Sequence, residues 1–204
     1  MNALSSYQHV FEPGTDPRAA PLLLLHGTGG NERDLLQLGR QLAPGAALLS
    51  PRGNASERGL PRFFARLGEG VFDPAEVARR THELADFLAA ASSRYGLDPA
   101  RLTALGFSNG ANIAATLLLL RPESLGRAVL LVVLEPKTVP ALAGKRVLIS
   151  SGELDPIVPP DHPPRLAAQL RAGGADVTLE TQPVSHQLTR GDLELAARWL
   201  QTPA

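Results

Sequence analysis

The sequence contains no cysteine. Disulfides, thiol catalysis and thiolate metal sites are therefore excluded, and bridges cannot mark the redox compartment. Neither sign of charge is in excess: Lys plus Arg number 20 and Asp plus Glu number 20. That balance gives no electrostatic case for nucleic acid, another polyanion or an anionic membrane as a partner. Long apolar runs are also missing. "ATLLLL" and "AVLLVVL" are the longest, far too short to span a bilayer, which predicts no membrane insertion. The N-terminal "MNALSSYQHVFEPG" has neither the basic start nor the apolar stretch of a signal peptide. The expectation is a soluble, cytoplasmic protein. No repeat, low-complexity tract or interdomain linker interrupts the 204 residues. Such a length suits one domain over 1–204, able to bury roughly 70 % of the surface its unfolded chain exposes. The sequence leaves a homodimer open.

What is present is an alternation of apolar runs of strand length with longer segments of helical period. That is the pattern of a mostly parallel sheet of about seven strands with helices on both faces, an α/β domain. Strands are predicted at 7–12, 21–26, 46–51, 102–107, 128–134, 146–151 and 177–182. The near-continuous apolar ones, such as "PLLLLH", suit central strands buried on both sides. Helical spacing is found at 31–43, 74–95, 109–120, 163–173 and 189–201. Pro74 in a first turn after Asp73 as N-cap is a good start signal. "PPDHPP" at 159–164 reads as a loop.

The stretch "TALGFSNGANIAA" places Ser108 between Gly106 and Gly110 where an apolar strand ends and a helical segment begins. G-x-S-x-G alone is a moderate signal; at a strand-to-helix turn it fits a nucleophile elbow, where small residues must flank the serine so that the backbone can pass. The competing reading is a turn in which Ser108 only caps the helix. A nucleophilic serine also needs a base and an acid that orients the base, following it along the chain in the order carboxylate, histidine. Two histidines follow Ser108, His162 and His186. His186 stands just past a predicted strand and before the last helix, where α/β sheets present functional groups, whereas His162 lies in the proline-rich loop and reads as exposed. Asp155 in "ISSGELDPIVPP" follows another strand directly, with Glu153 as its near competitor and turn capping as its alternative role.

A tetrahedral intermediate needs two N–H groups aimed at its oxyanion. The residue after the nucleophile, Asn109, supplies one, and the glycine-rich loop of "LLLLHGTGGNERDL" supplies the other, through Thr28. A phosphate-binding reading of that loop fails, because the third glycine of G-x-G-x-x-G would fall on Glu32 and no Gly-Lys-Ser/Thr is present. His26, just before the loop, either contacts substrate or packs with its nitrogens satisfied; packing is slightly preferred.

With these residues, "LLHGTGGNERDL", "LLSPRG", "RFF", "GFSNGA", "SGELDPIVP" and "SHQL", the chain resembles the α/β-hydrolase superfamily. Within it, the similarity is to the small phospholipase/carboxylesterase family that includes acyl-protein thioesterases and dienelactone-hydrolase-like esterases. The resemblance covers nearly the whole chain. It implies Ser108 as nucleophile, Asp155 as acid, His186 as general acid and base, and the Thr28 and Asn109 amides as oxyanion hole, with no metal or other cofactor. It also implies that Arg62, Phe63 and Phe64 of "GLPRFF" line the substrate pocket; the competing role for the two phenylalanines is a core anchor. The segment "EPKTVPALAGK" is too short for a cap domain, so the site should be open, and the lining near 132–138 departs from the family pattern. The expected activity is hydrolysis of small carboxylic esters through an acyl-serine. Thioesterase or lysophospholipase chemistry is the alternative with the same triad, and a non-catalytic binder on a hydrolase scaffold is the alternative of another class.

Overall fold

The computed structural model of the protein describes residues 3–68, 71–131 and 140–202. Its strands are β1 (His9–Glu12), β2 (Leu22–Leu25), β3 (Leu48–Pro51), β4 (Ala55–Glu57), β5 (Leu60–Arg62), β6 (Thr103–Phe107), β7 (Arg127–Leu131), β8 (Arg146–Gly152) and β9 (Asp176–Gln182). The α-helices are α1 (Leu36–Leu42), α2 (Pro74–Tyr95), α3 (Asn109–Leu120), α4 (His162–Ala172) and α5 (Arg190–Gln201). Seven strands form one sheet in the order β1-β3-β2-β6-β7-β8-β9. β1 is antiparallel to β3 and every other neighbouring pair is parallel. This is the α/β-hydrolase fold that the sequence predicts.

The two-residue period of a strand sends neighbouring side chains to opposite faces. Leu22 and Leu24 therefore join one apolar cluster with Leu36 and Leu42 of α1 and Ala196 and Trp199 of α5. Leu23 and Leu25 join the other, with Leu84, Phe87 and Leu88 of α2, Ile113 and Leu117 of α3, and Leu166 and Leu170 of α4. Helices on both faces explain why all four leucines of β2 are buried. Each such side chain contributes roughly 1.5–3 kcal/mol of burial free energy. Among the described residues no helix is long and apolar enough to cross a membrane.

Four local expectations are corrected. The first strand begins at His9 rather than at 7. The segment predicted as a helix over 31–43 becomes helical only at Leu36, because Asn31 and Asp34 bond one another's side chains and the Asn31 and Arg33 amides, a local alternative to helical bonding. The predicted loop at 159–164 already contains the start of α4 at His162; Pro163 and Pro164 are tolerated there because first-turn amides need no intrahelical acceptor. The hairpin β4–β5 was not anticipated. Its two-residue turn holds Arg58 at φ 51° and Gly59 at φ 83°, and positive φ at both central positions matches the twist of a tight hairpin. The predicted strand at 128–134 is seen as far as Leu131; its last residues lie outside the described ones.

One buried polar network joins sheet to helix. Asp192, 5 % exposed, accepts hydrogen bonds from Ser150 Oγ of β8 at 2.5 Å, and from the Thr189 N–H and hydroxyl at 2.9 and 2.6 Å. Thr189 in turn caps α5 by accepting from the Asp192 N–H. Removing such a carboxylate strands the donors around it. Asp192→Ala is expected to lower stability by about 3 kcal/mol, read as a lower urea midpoint with unchanged slope in unfolding followed by the fluorescence of Trp199. Ser150→Ala, which deletes one donor and leaves the cap, should cost about 1 kcal/mol.

Candidate active site

Ser108 sits between the end of β6 and the start of α3 at φ 51°, ψ −115°. Non-glycine residues avoid this region because their side chain crowds the backbone. A Cβ on Gly106 would lie 2.5 Å from the Gly110 carbonyl oxygen, and one on Gly110 would lie 2.0 Å from the Leu25 carbonyl oxygen. Glycine is required at both places by close approach. The turn is further held by the Ser108 N–H, which donates to Leu131 O at 2.8 Å.

Asp155 and His186 follow β8 and β9, two and three strands away from β6 across the sheet. Their loops are fastened to each other: the Glu153 N–H donates to Gln182 O at 2.8 Å and the Leu154 N–H to Val184 O at 3.0 Å. Asp155 Oδ1 accepts from the amides of Ile157 and Val158 at 2.8 and 3.1 Å, which aims its other oxygen. Oδ2 lies 2.8 Å from His186 Nδ1, and His186 Nε2 lies 3.0 Å from Ser108 Oγ. The Asp155 side chain is 2 % exposed and that of His186 19 %, so the chain of contacts runs from a buried carboxylate to a ring that solvent can reach. The structure thus brings Ser108, His186 and Asp155 together. Glu153, the competitor, is exposed. His162 opens α4, half-buried rather than exposed in a loop, and its Nδ1 finds no hydrogen-bond partner among the described residues.

The loop after β2 carries Thr28 and Gly29, both exposed. Neither the Thr28 nor the Asn109 N–H has an acceptor among the described residues. His26 is 2 % exposed, and both of its ring nitrogens are used internally: Nδ1 donates to Gly27 O at 2.7 Å, and Nε2 accepts from the Gly53 N–H at 2.9 Å. One donating and one accepting nitrogen describe a neutral ring. Burial pulls its pKa below the ordinary value, against the opposing influence of the Gly27 carbonyl. Of the two roles open to His26, substrate contact and packing with its nitrogens satisfied, the geometry matches packing, the slightly preferred one.

Arg62, Phe63 and Phe64 also differ from the pocket lining that the resemblance implies. Phe63 and Phe64 are 0 % and 1 % exposed, members of the larger core cluster, with Phe63 against His26 and Phe64 against Phe72 at ring-centre distances of 4.8 and 5.2 Å. They are core anchors because two adjacent phenyl rings gain more from burial than a site rim could offer. Arg62 is buried as well and is fully engaged: Nε donates to Phe64 O at 3.1 Å, Nη1 to Thr28 Oγ1 at 2.7 Å, and Nη1 lies 3.3 Å from Glu57. Burial lowers its pKa and the Glu57 carboxylate opposes that. The part that sequence reasoning missed is the hairpin carrying these residues; its sequence signal is the Arg58-Gly59 pair alone. The lining expected near 132–138 lies outside the described residues.

No family model matches the chain. MhqD of Bacillus subtilis (strain 168), named as a hydrolase, is 44 % identical over 195 residues, which cover 94 % of this chain and 96 % of that protein. A Bacillus cereus carboxylesterase of known structure superposes with a TM-score of 0.92 at 44 % identity, covering 95 % of this chain and 93 % of its own. For a carboxylesterase from Mesorhizobium loti the TM-score is 0.85 at 35 % identity, with 93 % and 91 % covered. Likeness of this extent, across nearly the full length of each partner, goes well beyond a shared fold, and the chain belongs to the phospholipase/carboxylesterase family of α/β-hydrolases.

Proposed function

We propose that the protein is a serine carboxylesterase that cleaves small carboxylic esters through an acyl enzyme on Ser108. The observation that carries this reading is the pair of contacts through His186, 3.0 Å to Ser108 Oγ on one side and 2.8 Å to Asp155 on the other. A serine hydroxyl is a weak nucleophile until a base takes its proton. His186 Nε2 accepts that proton as Oγ adds to the ester carbonyl, and the buried Asp155 carboxylate stabilises the imidazolium and fixes its tautomer. The oxyanion of the tetrahedral intermediate falls to the unpaired amides of Thr28 and Asn109. His186 then hands the proton to the leaving alcohol. In the second half it deprotonates water, which attacks the acyl-serine and regenerates the free hydroxyl.

The small-substrate preference rests on access. Few residues separate Leu131 from Arg146, too few for an inserted cap domain. Aromatic residues, which would wall a long acyl tunnel, make up 4 % of the chain, and several of them are spent in the core.

Two measurements test the proposal. Purified protein should turn over p-nitrophenyl acetate and butyrate, and Ser108→Ala, matched for folding, should lose at least about 10³-fold in kcat; equal inertness of both would leave a binding pocket on a hydrolase scaffold. Asp155→Asn should lose roughly 10³- to 10⁴-fold while still reacting slowly with a fluorophosphonate at Ser108. Faster hydrolysis of long-chain esters, thioesters or lysophospholipids than of butyrate in the same assay would overturn the small-ester assignment and keep the triad.

A further inference from the structure

The glycine-rich loop that carries Thr28 has a problem of its own chemistry. Three of its four residues from 27 to 30 are glycine, Gly29 takes φ 81°, and Thr28 and Gly29 are exposed. Such a segment has much backbone freedom. An oxyanion donor, however, acts only if it is already in place when charge develops, to within roughly 0.5 Å.

The hairpin supplies the missing constraint. Arg62 Nη1 donates to Thr28 Oγ1 at 2.7 Å, and the Gly29 N–H donates to Pro61 O at 2.9 Å. The amide of Thr28 is thereby bracketed by one bond to its own side chain and one to the next residue. On the other side of the site, the Phe63 N–H donates to Asn109 Oδ1 at 2.7 Å, so the same short segment grips the second donor residue too. Arg62 is fixed in turn by Phe64 O and by Glu57, which also bonds Arg66 at 2.8 Å. Phe63 and Phe64 root the segment in the core.

We propose that Leu60–Arg62, with Phe63 and Phe64 behind it, is the scaffold of the oxyanion hole, and that Arg62 is a positioning residue that presets the Thr28 amide through the Thr28 hydroxyl. This rests on the serine-esterase reading above. Among the described residues Arg62 makes its polar contacts with Thr28, Phe64 and Glu57 and not with Ser108, and it acts through Thr28. The geometry gives "GLPRFF" a role that pocket lining does not: the Pro61 carbonyl, the Phe63 amide and the Arg62 side chain hold the residues that carry the two amides.

The clearest test spares the core. Thr28→Val keeps the backbone N–H and the side-chain shape and removes the hydroxyl from an exposed position. Expected are a fall in kcat of about 10-fold or more, a KM within about twofold, the same fold loss in affinity for a trifluoromethyl ketone whose adduct carries the oxyanion, and a Tm lowered by about a few degrees at most, the cost of leaving one Arg62 donor without its acceptor. Thr28→Ser should recover most of the lost rate. Arg62→Lys keeps the charge but cannot bond Thr28 and Phe64 together, and should lower kcat similarly. Because both changes break one bond, the double variant should be little worse than the poorer single one. Thr28→Val with kcat and ketone affinity within twofold of wild type overturns the proposal, as do single effects that multiply. A wild type that neither turns over esters nor reacts with a fluorophosphonate at Ser108 overturns the esterase reading itself, and with it this one; turnover with labelling by wild type shows that only the positioning role has failed.

Discussion

Where α3 begins, the backbone of Gly110 rests on the end of β2 so closely that a single methyl group would sit 2.0 Å from the Leu25 carbonyl oxygen. Everything at the site depends on this approach. It brings the start of α3, and with it the residue after Ser108, beside the end of β2 and the loop that follows it, although the two segments lie some eighty residues apart in sequence. A larger residue at 110 would lift the helix, and the serine, away from the loop and from His186. The interaction is a steric allowance more than an attraction, and only glycine grants it.

The strained turn at Ser108 costs on the order of 1–3 kcal/mol, and the surrounding structure supplies that amount easily. Ile113, Ala114, Leu117 and Leu118 of α3 are all 0 % exposed, and each large apolar side chain so buried contributes roughly 1.5–3 kcal/mol. The helix cannot relax the turn without withdrawing those side chains from the sheet. Strain at Ser108 is thus maintained by packing one to three turns further along, in side chains closed off from solvent.

How much of this was legible in the sequence follows from how local each signal is. The strands showed because a sheet covered on both faces leaves its central strands uninterrupted runs such as Leu22–Leu25. Ser108, Asp155 and His186 could be singled out because each stands shortly after the end of a predicted strand, and strand ends in a parallel sheet share one rim. The helix start at Leu36 was hidden by the Asn31–Asp34 pairing, since the apolar period runs straight through a turn fixed by side-chain bonds. His162 was misplaced because prolines that usually interrupt a helix are harmless in its first turn. The hairpin was invisible for a different reason: its strands are three residues long, too short to show alternation, and its buried arginine carries no mark of burial. The resemblance assigns Arg62, Phe63 and Phe64 to the pocket, and because arginine is rarely interior only tertiary contacts reveal the hydroxyl and the carbonyl that receive it.

The buried charges around the rim share a logic that stability alone does not explain. Glu32, 3 % exposed, bonds Arg52 at 2.5 and 3.1 Å and Gln8 at 3.2 Å. Burial, the largest single influence, pushes its carboxyl up, but the Arg52 bonds, the bond from its own backbone amide and the positive charges of Arg52 and Arg33 together leave it below the usual range. Glu32 follows the glycine-rich loop after β2, Arg52 follows β3, Arg62 ends the hairpin, and Asp192 holds Thr189 where the segment carrying His186 enters α5. Ion pairs of this kind often give little net stability over apolar residues of equal volume, because desolvation consumes the attraction. Their bonds are directional, however, which apolar contacts are not. Apolar packing defines the sheet and its helices, but a loop leaving a strand end has few apolar side chains to place it. Directed bonds to buried charges fix its path instead. The loop after β2, the hairpin and the segment that carries His186 each have a buried polar group beside them, where a directional interaction achieves what packing cannot.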